Sequence, residues 1–173
     1  MANPASMQSY HDLLIPIGAL AISILSFYFS IKSWLESNRP IVIARVTTKA
    51  GGDISTILDI IVQNVGNRPA KNINLRVQQK DLDSIILAKK GDPLRNDIEA
   101  CFSAKGNIPV LENGRSVINS FGVLQQTGST WKINSRLNVT ITYQGLGRRK
   151  FKNIVPLLIT DDRGFAGGFW SST

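Results

Sequence analysis

LNVTITYQGLGRRKFKNIVPLLIT (137–160) reads as two β-strands and the turn that joins them. Leu137, Val139, Ile141 and Tyr143 alternate with Asn138, Thr140 and Thr142, the period of a strand with one face in a core. GLG at 145–147 predicts a tight connection, and 148–160 returns as the antiparallel partner. Pro156 cannot donate to a ladder, which puts the returning strand at a sheet edge or a bulge. The pattern continues toward the N-terminus. RSVINSFGVLQQ (115–126) reads as a strand bent at Gly122, and IPVLENG (108–114) as a short run ending in a turn. NINLRVQQ (72–79) sets Ile73, Leu75 and Val77 inward, and ISTILDIIVQ (54–63) sets Leu58, Ile60 and Val62 on one face. PIVIARVTTK (40–49) is β-rich. Residues 80–107 are the least regular, with a short strand or helical turn expected around 84–88 and a helix-like turn around Pro93–Phe102. About seven strands with no long amphipathic helix between them predict an all-β sandwich with hairpin and Greek-key connections, a small barrel being the competitor.

IIVQNVGNRPAKNINLRV (60–77) resembles the second and third strands of immunoglobulin-like sandwich modules in prokaryotic proteins. Those modules share an N-x-G-x-x-x-A-x-N turn, here Asn64, Gly66, Ala70 and Asn72. IPVLENGRS (108–116) is similar to the leucine–turn–glycine step before a middle strand of such modules. The resemblance covers about a third of the chain and implies small single-pass membrane-anchored proteins with an immunoglobulin-like module. Such modules are adhesive, scaffolding or ligand-presenting, so the fold brings no reaction with it. In the turn itself, Gly66 can take a positive φ, and Asn64 and Asn67 can cap local backbone groups.

Ahead of the strands, LLIPIGALAISILSFYFSI (13–31) holds no charged residue. As a helix it spans roughly 28 Å, the thickness of the hydrocarbon core. Pro16 is expected in its first turn. Tyr28 and Trp34 suit the headgroup region and Lys32 can snorkel. Residues 1–12 lack the basic residues of a signal peptide, so the segment reads as a permanent anchor. The expected organisation is an N-terminal tail (1–12), a transmembrane helix (13–34), a hinge (35–40), the sandwich domain (41–163) and a C-terminal tail (164–173) whose aromatics, Phe165, Phe169 and Trp170, have a choice of surfaces to dock on. Lys32, Arg39, Arg45 and Lys49 follow the span while only Asp12 precedes it, which places the N-terminus outside and the sandwich in the cytoplasm. A lone Cys101 tolerates a reducing compartment. The sequon at Asn138 argues the other way, but it lies in a predicted strand.

The chain holds one Cys and one His, which excludes an intramolecular disulfide and a structural zinc site. The only histidine, His11, lies across the membrane from the sandwich in this topology, so no His-dependent relay forms there. Cys101 reads as a small buried hydrophobe. Asp81-x-Asp83 and Asp161-Asp162 lack the companions of a calcium loop, and Gly145-x-Gly147 lacks the setting of a nucleotide loop. No catalytic residue, cofactor or metal is assigned and the chain is read as non-enzymatic.

Two clusters carry the functional expectation. Arg148, Arg149, Lys150 and Lys152 suit anionic lipid headgroups or an acidic protein partner, against the plainer role of a solubilising edge. Nucleic acid fits less well, because Phe151 is the only interleaved aromatic. In the span, Ala19, Ser23, Ser26, Ser30 and Ser33, continued by Ser37, form a stripe of small residues at alternating spacings of four and three. Such a stripe lets helices pack into a homo-oligomer, against the alternative that each serine bonds its own i−4 carbonyl. The chain is therefore expected to be a membrane-anchored interaction or scaffold module within a membrane-associated assembly. The alternative is a sensor or effector whose sandwich binds a small anionic ligand and whose helices oligomerise. A flat basic face suits the first, and a concave basic pocket the second.

Overall fold

The structure, a computed structural model, describes residues 4–51 and 54–160, with side chains from Leu14 onward. The tail at 164–173 lies outside the described residues. The chain divides into two units, Met1–Arg39 and Pro40–Thr173.

The first unit is one helix, α1 (Pro4–Ser37). It starts earlier and ends later than the expected span, because nothing from Ala5 to Asp12 breaks a helix and Leu35 and Glu36 are good helix formers. Pro16 therefore sits in the helix interior, not its first turn, and removes one i→i−4 bond there. Leu14–Ser37 is long and apolar enough to cross a membrane, its most apolar 18-residue stretch having a mean hydropathy of 2.1.

The second unit holds seven strands in two antiparallel sheets. Strands β1 (Val42–Gly51), β2 (Ser55–Asn64) and β5 (Ser116–Gln125) form one sheet in the order β1-β2-β5. Strands β3 (Ala70–Arg76), β4 (Ile108–Leu111), β6 (Ser135–Gln144) and β7 (Lys150–Ile159) form the other in the order β4-β3-β6-β7. The irregular stretch holds two short helices, α2 (Gln79–Ile85) and α3 (Pro93–Cys101). Asp92 caps α3 by accepting from Leu94 N, with Pro93 at the first helical position. Arg95 joins the two helices: its buried guanidinium pairs with Asp83 and Glu99 and donates to Ala88 O.

Alternation became packing as expected on β2 and β6. Leu58, Ile60 and Val62 face Leu137, Val139 and Ile141 in one core, all under 6 % exposed. Trp131 and Phe121 stack at 4.5 Å, fully buried, and the indole N–H donates to Phe121 O. Phe121 is the extra residue of a bulge, for Leu58 pairs with Gly122 and Asp59 with Ser120. Gly122, at φ 102°, makes the expected bend, and a Cβ there would stand 2.8 Å from Thr130. Pro156 lies on β7, an edge strand.

In the 64–72 turn the freedom that Gly66 offers is not used. Gly66 is buried and does not take a positive φ; Asn72 does, at 51°, where β3 bulges between Lys71 and Asn74. Asn64 organises the turn. Its Oδ1 accepts from Ile41 N and Gly66 N, and its Nδ2 donates to Arg68 O and Leu111 O.

Candidate functional site

One end of the sheet domain gathers the β2–β3 turn, the β4–β5 turn, the β6–β7 turn and the entry to β1. The β6–β7 turn is tight because Gly147 and Arg148 both have positive φ, 63° and 60°, and Arg149 N bonds Leu146 O. Arg148 and Arg149 lie in the turn itself, while Lys150 and Lys152 are ladder residues of β7. Between this turn and the β2–β3 turn lies a cleft of about 470 Å³. Arg68 and Lys71 line it from one turn and Arg148 from the other, with Asn72 and Gln144 between them. Asn72 Nδ2 donates to Gln144 Oε1 at 3.2 Å. A second cleft of about 390 Å³ shares Asn72 and Gln144 and adds Lys150, Lys152 and Thr142. Neither lining contains an Asp or Glu.

The four expected cations are thus divided. Arg148 lines the first cleft, and Lys150 and Lys152 the second. Arg149 lies over Phe151, 5.5 Å from the ring centroid. Phe151 stacks on Tyr143 at 5.4 Å, which holds this cation against the sheet. Arg68 and Lys71 line the cleft without standing out in the sequence as a cationic cluster, although both lie within the 64–72 turn motif. Chemically, guanidinium, ammonium and amide donors in a concave surface bind an oxyanion, and the planar fork of arginine suits phosphate.

The same end receives the chain from α1. Pro40 lies against Gly145, whose added Cβ would come within 3.0 Å of it, and Tyr143 Oη donates to Pro40 O at 3.4 Å. Only Asn38 and Arg39 separate Pro40 from the last helical residue, Ser37.

On α1, Ala19, Ser23, Ser26, Ser30 and Ser33 share one exposed stripe, spread over about 80° of the helix circumference. Ser23 Oγ donates to Ala19 O at 2.8 Å, so at this position the hydroxyl bonds its own helix. The His11 side chain lies outside the described ones. Cys101 is partly buried rather than fully so: Asn119 Nδ2 donates to its Sγ at 3.0 Å, and the thiol donates to Asp97 O. Asp83 serves Arg95 rather than a metal, and among the described residues no three His, Cys, Asp or Glu side chains gather as a metal site would need.

Residues 13–160 match a family model described as "Domain of unknown function (DUF8453)". No curated protein matches the chain.

Proposed function

We propose that this chain, which belongs to the DUF8453 family, is a single-pass membrane protein whose immunoglobulin-like sandwich holds an anionic phosphate group in its basic cleft. It acts by binding, not by catalysis, as a sensor or effector whose sandwich takes a small anionic group, the reading that a concave basic pocket favours. The observation that carries this reading is the meeting of Arg68, Lys71 and Arg148 in one cleft, at the end of the domain where the chain arrives from α1. A concave basic site favours a compact anionic group over a broad acidic surface. Because the sheet domain follows the span directly in sequence, we take lipid headgroups as the source of the phosphate. The immunoglobulin-like assignment is supported by strand order. That fold sets its first, second and fifth strands in one sheet and its third, sixth and seventh in the other, as here, while β4 has joined the second sheet. The N-terminus is outside and the sandwich cytoplasmic, supported by the cations that follow the span.

The test is co-sedimentation of residues 39–173 with vesicles of neutral lipid, alone or doped with a phosphomonoester lipid. Binding only to the doped vesicles is expected, weakening as salt rises. Replacing Arg68, Lys71 and Arg148 by Ser should lower it at least tenfold. Equal binding by the triple variant overturns the reading. Saturable binding of free pyrophosphate to the same residues, with no vesicle binding, moves the source from lipid to a soluble ligand.

A second reading, docking of an acidic protein partner, is favoured by Ile154 and Leu158. Both are more than half exposed on edge strand β7, on the face that carries Lys150 and Lys152. Loss of partner capture in Ile154→Ser/Leu158→Ser, with vesicle binding intact, would identify this mode.

A further inference from the structure

The two sheets approach each other closely along β1 and β7 but part along the opposite side, where β5 and β4 are the outer strands. There a cavity of about 220 Å³ runs into the core. Its floor is Ile60, Val62 and Leu75, all 5 % exposed or less, and Val117 stands at its rim. Natural cores are packed to the density of organic crystals, and unfilled volume is destabilising. An apolar cavity of about 150 Å³ already accepts benzene. This one is larger, and it opens to solvent beside Cys101 and Asn119.

The mouth restricts what can enter. Asn119 Nδ2 and the Cys101 thiol bond one another, and the thiol hydrogen is committed to Asp97 O. Burial raises the thiol's pKa, so it stays neutral. No charged residue lines the cavity. Gly106, also in the lining, packs tightly on the end of α3, where an added Cβ would meet Cys101 O at 2.5 Å. We propose that this cavity is a binding site for a short aliphatic chain of about six to eight carbons, inserted between the sheets with any polar end left at the Cys101–Asn119 mouth. The chain can be that of a free alcohol or the end of a longer lipid tail. The site is independent of the basic cleft.

The full-length protein in lipid nanodiscs, free of detergent whose tails would compete, is titrated with 1-hexanol. Two signals are followed: methyl resonances of Ile60, Val62 and Leu75, and the rate at which a maleimide alkylates Cys101. Saturable shifts confined to those methyls, with alkylation slowed at least threefold, are expected. Val117→Phe fills the cavity and should abolish both effects while the other methyl resonances keep their positions. Should that variant fail to fold, Cys101→Met plugs the mouth and is read by the methyl shifts alone. Shifts spread evenly over the domain, an unchanged alkylation rate in the parent, or full binding by a folded plugged variant overturns the proposal. A parallel titration with lysolipids of increasing acyl length separates the sources: protection that persists at long chain lengths identifies a lipid tail, and protection lost beyond eight carbons identifies a small free molecule.

Discussion

Asn64 uses its amide in four directions. Two lone pairs and two N–H groups are the full capacity of the side chain, and all are occupied, by Ile41, Gly66, Arg68 and Leu111. The residue is completely buried, so nothing in solvent replaces a lost partner. Asn64→Ala is therefore expected to cost about 2–4 kcal/mol, measured by urea unfolding of the sheet domain, because it strands several backbone groups at once. The sequence marks Asn64 as a turn residue, and that much is legible from the turn alone. Its bonds to Ile41 and Leu111 are not, since they depend on which distant segments the fold brings alongside. Asp83 offers a second test. The Gln79 amide that donates to it, with Arg95 and Lys90 nearby, holds its carboxyl below the ordinary 3.8. A depressed folded-state pKa gives stability that is present above the unfolded value and is lost as pH falls through the folded one. Asp83→Asn should thus be less stable than the parent at neutral pH, and the gap between their melting temperatures should close as pH falls below about 4. A gap that stays constant down to pH 2 would refute the pairing.

Among the elements, the long alternating strands were legible and the departures from alternation were not. β6 and β2 bury the residues that a period of two selects. The bulges at Phe121 and Asn72 follow from pairing with particular partners, and only Gly122 advertises one of them locally. Gly66, which could take a positive φ because glycine permits it, instead lies buried with its N–H on Asn64; permission is not requirement. Gly122→Ala is accordingly expected to destabilise by more than 2 kcal/mol, about the cost of strain and overpacking together, since φ 102° and Thr130 both oppose a Cβ. Thermal melts against Gly114→Ala, where open space leaves only the backbone term, separate the two. For α1 the question is whether its stripe of small residues is an interface. Ser23 bonds Ala19 O, which weakens but does not remove the case, because close backbone approach does not need a free hydroxyl. Leu at Ser23, Ser26 and Ser30 should preserve insertion and abolish association in a two-hybrid assay of membrane helices. Undiminished association by the three-Leu variant would leave the helix a plain anchor.

At the scale of the molecule, charge is unevenly placed. Arg68, Lys71, Arg115, Arg148, Arg149 and Lys150 sit at the turn end that receives the chain from α1, where Glu112 is the acidic residue of the β4–β5 turn. Half of this was legible: four cations in five residues announce themselves at 148–152. The other half was not, because Arg68 and Lys71 belong to a different hairpin and become neighbours of Arg148 only when β3 pairs with β6. The arrangement bears on topology. The positive-inside rule counts cations near the ends of a span, and Lys32, Arg39 and Arg45 satisfy it by sequence distance. Folding adds a second set that lies far along the chain yet gathers beside Pro40. Each cation near an anionic leaflet contributes about 1 kcal/mol, and that attraction exists on the cytoplasmic face. Under the proposed lipid-binding reading, both sets favour the same side. A reporter fused after Thr173 should be active if it requires the cytoplasm and silent if it requires export. Moving charge tests the two sets separately. Replacing Lys32, Arg39 and Arg45 by Ser while adding Lys before Leu13 should invert the reporter, since insertion precedes folding of the sandwich and reads only the flanks. Replacing Arg68, Lys71 and Arg148 should leave orientation unchanged and loosen the domain from the membrane surface instead. An export-dependent reporter active on the parent chain would place the basic cleft on the opposite face, and the phosphate source would then have to be the outer leaflet or a soluble ligand there.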